Sequence, residues 1–143
     1  MSTGLDTTFL VQAEVAGHPG HARARRLLEN LLDRGESLAL APQVLAEFIH
    51  VVTDGKRFSA PLSMPQAVDR AESWWNAREV VQVFPSAEAM QLFLDWLRGH
   101  RLGRKRLLDT QLAATYAARS VRSIVTSNAR DYRIFGWFEV LTV

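Results

Sequence analysis

Short apolar runs, stopped by a proline or a turn residue and separated by helix-length amphipathic stretches, constrain this chain more than any other feature. Ser37-Leu38-Ala39-Leu40-Ala41 is closed by Pro42, and Glu79-Val80-Val81-Gln82-Val83-Phe84 is closed by Pro85. Ser123-Ile124-Val125-Thr126 reads as a buried strand, and Phe138 to Val143 alternates as a last one. A first strand ahead of Asp6 rests on Leu5 as its only strongly apolar residue. Between these runs the spacing is helical. Leu27, Leu28, Leu31 and Leu32 form a stripe that ends near Gly35, and Pro42 suits the first turn of a helix carrying Val44, Leu45, Phe48, Ile49 and Val52. Residues 53 to 63 read as a loop, with Ser63 as N-cap of a helix through Val68, Ala71, Trp74 and Trp75. Ser86 caps the next helix, which stops at Gly99, and Leu107 to Arg119 forms another.

Strands of this kind alternating with helices predict an α/β fold with a parallel sheet covered on both faces. In such a sheet functional groups gather beyond the carboxyl ends of the strands. No repeat or linker divides the 143 residues, so one domain over 1–143 is expected, large enough to bury roughly two-thirds of its unfolded surface. No apolar run approaches the ~18 residues of a membrane span, and no basic segment precedes an apolar one at the start, so neither a membrane protein nor a secretory leader is expected. The absence of cysteine excludes thiolate chemistry and fits a reducing compartment such as the cytoplasm.

Four acids stand where that architecture would put a site. At ~100° per residue, Leu108, Leu112, Ala113 and Tyr116 span an arc of roughly 140°, and Asp109 falls inside it. A carboxylate on an apolar face has to be hydrogen-bonded, paired or metal-bound; a capping role and a ligand role fit Asp109 equally. Glu47 flanks the apolar arc of its helix and alone reads as a surface residue. Asp6 follows the first strand, where a helix N-cap is the ordinary role. Asp131 follows the fourth strand within Thr126-Ser127-Asn128-Ala129-Arg130-Asp131-Tyr132, where a turn residue is ordinary. Together they can converge at one sheet edge. Converging carboxylates repel and take up protons unless a divalent cation neutralises them. All-oxygen donors without cysteine or clustered histidine suit Mg²⁺ or Mn²⁺, which places phosphodiester hydrolysis within reach.

Taken in order, Leu5-Asp6-Thr7-Thr8-Phe9-Leu10, Ala41-Pro42-Gln43-Val44-Leu45-Ala46-Glu47-Phe48, Leu108-Asp109-Thr110-Gln111-Leu112-Ala113-Ala114-Thr115 and Thr126 to Tyr132 resemble a PIN domain, and most of all the VapC-type toxins of bacterial toxin–antitoxin pairs. The resemblance covers essentially the whole chain. It implies a three-layer α/β/α domain around a central parallel sheet, Mg²⁺- or Mn²⁺-dependent cleavage of RNA, inhibition by a small cognate antitoxin, and a homodimer. It also implies Asp6, Glu47 and Asp109 as the first three acids of the site; Asp6 and Asp109 are expected on the metal, with Glu47 and Asp131 binding a second metal, ligating through water or orienting the attacking water. The fourth position falls to Asn128, where the family carries Asp or Asn, or to Asp131. Tyr132 stands where phenylalanine is more usual, which is expected to affect packing only.

The charge balance, 17 Lys and Arg against 15 Asp and Glu, does not by itself mark a nucleic-acid binder. Its distribution is more telling: Arg98, Arg101, Arg104, Lys105 and Arg106 fall within nine residues. Such a run is either a solvated helix end or a rim facing phosphates, with Arg101, Arg104 and Lys105 as RNA-backbone contacts in the second case. A second basic group, Arg23, Arg25 and Arg26, lies near His18 and His21. The four histidines show no shared ligand spacing, and neither a P-loop nor a serine-hydrolase elbow is present. Trp74 and Trp75 lie about 100° apart, so one is expected in the core and the other free for a partner. Two other readings remain: a catalytically silent PIN-like module binding RNA or protein, and a phosphatase or phospho-receiver domain with Asp6 as nucleophile. The second lacks an adjacent acidic pair and an evident catalytic lysine.

Overall fold

A computed structural model describes residues 1–143. Its five strands are β1 (Ser2–Leu5), β2 (Ser37–Leu40), β3 (Val80–Gln82), β4 (Ser123–Thr126) and β5 (Glu139–Thr142). The helices are α1 (Thr7–Glu14), α2 (His21–Asp33), α3 (Pro42–Val52), α4 (Met64–Trp75), α5 (Ala87–Gly99), α6 (Leu107–Ala118) and α7 (Ala129–Arg133), with a 3₁₀ turn at Arg104–Arg106 ahead of α6. All strands run parallel in the order β3-β2-β1-β4-β5. The chain therefore winds outward from β1 through β2 to β3, then returns to the other side of β1 for β4 and β5. With right-handed crossovers, that reversal puts α1–α4 on one face and α5–α6 on the other. The helices associate accordingly: α1 packs on α2 and α3, α3 on α4, and α5 along α6. This is the expected α/β/α sandwich. No helix is long and apolar enough to cross a membrane.

The strand with the weakest sequence signal is the centre of the sheet. β1 is Ser-Thr-Gly-Leu, and Gly4 explains why so little apolar residue suffices. A Cβ on Gly4 would come within 2.7 Å of the Tyr116 ring, which is fully buried against it. The Tyr116 hydroxyl donates to the Leu5 carbonyl at 2.6 Å and accepts from the Ala41 amide at 3.4 Å. One side chain of α6 thus joins the carboxyl ends of β1 and β2. Burial pushes that hydroxyl well above the usual tyrosine range, so it serves as a donor throughout the physiological range.

Several sequence expectations shift in detail. Leu108 is 74% exposed, so the buried side of α6 is carried by Leu112, Ala113 and Tyr116 without it. The Glu79–Phe84 run is a strand only over Val80–Gln82, at one edge of the sheet. Beyond it Val83 turns into the core while Phe84 stays exposed. Trp74 is buried and donates to Glu14 Oε1 at 2.7 Å. Trp75, expected to be free, lies half-buried edge-on against Phe84 at 5.7 Å.

Candidate active site at the carboxyl edge of the sheet

The reversal of strand order at β1 opens a crevice beyond the carboxyl ends of β1 and β4, where an open parallel sheet holds its ligands. Asp6 sits at that point. Its backbone is extended and its Oδ1 accepts from the Thr7 amide at 2.9 Å, so it does cap α1. The cap is one of four bonds. Tyr132 donates its hydroxyl to Oδ1 at 3.2 Å, and Thr8 and Thr126 donate to Oδ2 at 3.0 and 2.6 Å. Burial raises the carboxyl above its ordinary value, against the pull of those bonds. A carboxylate held by four donors from three elements has one orientation, and the cap on α1 uses only one of those bonds.

Asp109 contrasts with it. It lies in the first turn of α6 and is pushed up to about 6, chiefly by burial, then by the charges of Asp6 and Asp131; Arg106 opposes the rise and Glu47 adds to it. No hydrogen bond from the protein lowers it. Glu47, exposed on α3, accepts from the Thr7 hydroxyl at 3.2 Å, so Thr7 touches both Glu47 and, through its amide, Asp6. Asp131, on the short α7, stands 3.7 Å from Arg106 Nη1. The four acids therefore share one electrostatic neighbourhood.

Asn128 lies at its rim. The residue is exposed at the start of α7, its amide N–H donates to the Thr126 hydroxyl at 2.9 Å, and its side chain does not cap the helix. Arg101, Arg104 and Lys105 are all exposed on the turn leading into α6, while Arg106 is turned inward. On the other side, a cavity of about 840 Å³ runs from Thr7, Thr8, Glu47 and Ser127 towards Arg57 and Arg70.

Four residues of this site escaped sequence reasoning. Thr8 and Thr126 are too common in strand ends and helix starts to signal a carboxylate clamp, and Arg106 was indistinct within its basic run. Tyr132 corrects a specific expectation: its hydroxyl bonds Asp6, so its role is not confined to packing.

The donor set suits a hydrated hard cation. No three acids or histidines are grouped tightly enough to enclose an ion by themselves. What the chain offers is an oriented carboxylate, Asp6, beside a carboxylate without a protein donor, Asp109, with further acids around them. Mg²⁺ is commonly bound this way, through one or two carboxylates with water completing its shell.

The family model described as PIN domain matches residues 5–135. This chain belongs to the PIN-domain family. The PIN domain is 37% identical over 83 residues to ribonuclease VapC43 of Mycobacterium tuberculosis, an alignment covering 58% of this chain and 52% of that protein. The chain thus spans about half the length of the first curated relatives it matches. It is 25% identical over 136 residues to ribonuclease VapC24 of the same species, covering 95% of this chain and 92% of the relative. Among solved structures, VapBC2 from Rickettsia felis bound to a promoter DNA fragment matches with a TM-score of 0.71, 19% identity and coverage of 100% and 99%. The sarcin-ricin loop cleaving toxin VapC20 of M. tuberculosis gives 0.66, 18%, 85% and 86%. At those identities the structural likeness establishes the fold of this PIN domain.

Proposed function

We propose that this PIN domain, acting as one unit over residues 1–143, is a Mg²⁺- or Mn²⁺-dependent endoribonuclease and the toxin of a toxin–antitoxin pair. The observation that carries the reading is Asp109: a half-buried carboxylate, crowded by Asp6, Asp131 and Glu47, with no protein donor to satisfy it. A structural aspartate would have acquired a partner; one kept without a partner among like charges fits a place for a cation.

Asp6 and Asp109 would hold the ion. When bound, it supplies positive charge against the charge developing on the phosphoryl group and lowers the pKa of water. Thr126, Thr8, Tyr132 and the Thr7 amide fix the Asp6 carboxylate so that no reorganisation is needed on binding. Glu47, open to solvent and steadied by Thr7, would orient the attacking water and take its proton. Asp131 acts from the rim, with Asn128 as a hydrogen-bonding neighbour. Arg101, Arg104 and Lys105 hold the RNA backbone, where exposed cations gain affinity without reading bases.

The partner reading is supported by the likeness to VapBC toxin–antitoxin structures: a small antitoxin is the expected protein partner, and a homodimer the expected assembly, in the cytoplasm. The chain keeps the three carboxylates Asp6, Glu47 and Asp109 and a fourth polar position at Asn128 or Asp131, which is why a catalytically silent module is not preferred. Incubating the purified chain with single-stranded and structured RNAs tests the activity. Cleavage in Mg²⁺ or Mn²⁺ that stops in EDTA is expected; no cleavage in any metal, or equal cleavage in EDTA, would refute it.

A further inference from the structure

Arg106 differs from the cations beside it. Arg101, Arg104 and Lys105 face solvent, whereas the Arg106 side chain retains only 22% exposure and crosses to α7. Its Nη2 donates to the Asp131 main-chain carbonyl and its Nη1 lies 3.7 Å from Asp131 Oδ1. One guanidinium therefore grips a single residue twice, through carboxylate and backbone. Its Nε is buried without a hydrogen-bond partner, so every hydrogen bond of this guanidinium within the protein is made to Asp131.

The elements it connects matter. Arg106 precedes the first residue of α6, whose first turn bears Asp109. The helix it reaches, α7, has only five residues and no side-chain cap, so its own hydrogen bonds do little to hold it in place. That short helix carries Asp131 and also Tyr132, whose hydroxyl bonds Asp6. Both Nη groups face Asp131, so Arg106 is poorly placed to bind phosphate with its exposed neighbours.

We propose that Arg106 is a positioning residue: by holding Asp131 through its carboxylate and its carbonyl together, it fixes the fourth acid at the rim, offsets its charge, and leaves Asp6 and Asp109 as the direct ligands of the cation. This rests on the cation-dependent reading of the site. Two consequences follow. The charge felt by an incoming cation is one less negative than the count of acids suggests, and the placement of Asp131 depends on the fork of a guanidinium, which a lysine matches in charge but not in geometry.

The test measures Mn²⁺ affinity by calorimetry without RNA, and separately kcat for RNA cleavage at saturating Mn²⁺, in the wild type and in Arg106→Ala, Arg106→Lys and Arg106→Ala/Asp131→Asn. Arg106→Ala removes a cation and frees a carboxylate, so Mn²⁺ binding should tighten by about fivefold. Its kcat should fall by roughly tenfold as Asp131 loses its place. Arg106→Lys should return the Mn²⁺ affinity to the wild-type value while kcat stays low, and the double variant should likewise bind Mn²⁺ as the wild type does. A merely structural role would weaken metal binding and turnover together. Unchanged or weaker Mn²⁺ binding in Arg106→Ala, or full turnover in Arg106→Lys, would overturn the assignment. A wild type that binds no Mn²⁺ would instead overturn the site reading on which it rests.

Discussion

Replacing Asp109 by asparagine keeps the size of the side chain and removes its charge, and the structure gives both sign and size of the effect. The Asp109 carboxyl is raised from an ordinary value of 3.8 to about 6 by burial and by neighbouring acids. In the unfolded chain it releases its proton near the ordinary value, while the native protein keeps it to about 6. Stability from this group is therefore fully present at low pH, falls as pH rises through that window, and stays lower above it. The gap corresponds to about 3 kcal/mol at ~1.36 kcal/mol per pH unit. Because Asp109 is only half-buried, solvent screening reduces this to about 1–2 kcal/mol. Without metal, Asp109→Asn should thus be more stable than the wild type near pH 8, with a melting temperature higher by roughly 3–8 °C, and should lose that advantage near pH 4. Millimolar Mg²⁺ should stabilise the wild type and leave the variant unmoved. Thermal denaturation in EDTA at the two pH values, then in Mg²⁺, reads all three. An equal effect at both pH values, or no gain near pH 8, would refute the claim that burial, reinforced by the charges of Asp6, Asp131 and Glu47, stores this energy.

Gly4→Ala should cost about 1–3 kcal/mol in urea denaturation, since the new methyl meets the Tyr116 ring and nothing there can move aside. Replacing Arg101, Arg104 and Lys105 together by alanine should weaken RNA binding for all sequences and reduce its log–log salt slope by about 2, from ~0.7 per lost contact to a single strand. An unchanged slope would return those residues to an ordinary solvated surface. Asp131→Asn should raise the Mg²⁺ concentration for half-maximal cleavage more than Asn128→Ala does, because Asp131 acts on Asp109 electrostatically while Asn128 is exposed at the rim; the reverse ranking would exchange their roles.

The architecture was legible because its signals are local. Pro42 and Pro85 stop apolar runs, Ser63 and Ser86 cap helices through their side chains, and β4 keeps the bounds its apolar run suggests. β1 was nearly silent, since its strand character comes from pairing on both sides and from a glycine that admits Tyr116, neither of which is local. The acids could be proposed only as a set, since Asp6 and Asp131 follow strands, Glu47 sits in the helix after one and Asp109 starts a helix, but their hydrogen bonding could not. The donors to Asp6 come from positions 7, 8, 126 and 132, and only the folded sheet brings Thr126 and Tyr132 beside it. The same holds for Arg106, which spans 25 residues to Asp131 and so differs from Arg104 in nothing the sequence displays.

The central claim, that Asp6 and Asp109 form a cation site that cleaves RNA, is tested most directly by titrating Mn²⁺ into the wild type and Asp109→Asn while following binding and RNA cleavage in parallel. Cleavage in the wild type should rise with occupancy of the Mn²⁺ site, and the folded Asp109→Asn protein should lose both the binding and the cleavage. Undiminished cleavage by Asp109→Asn, or wild-type cleavage that proceeds with no Mn²⁺ bound, would contradict it.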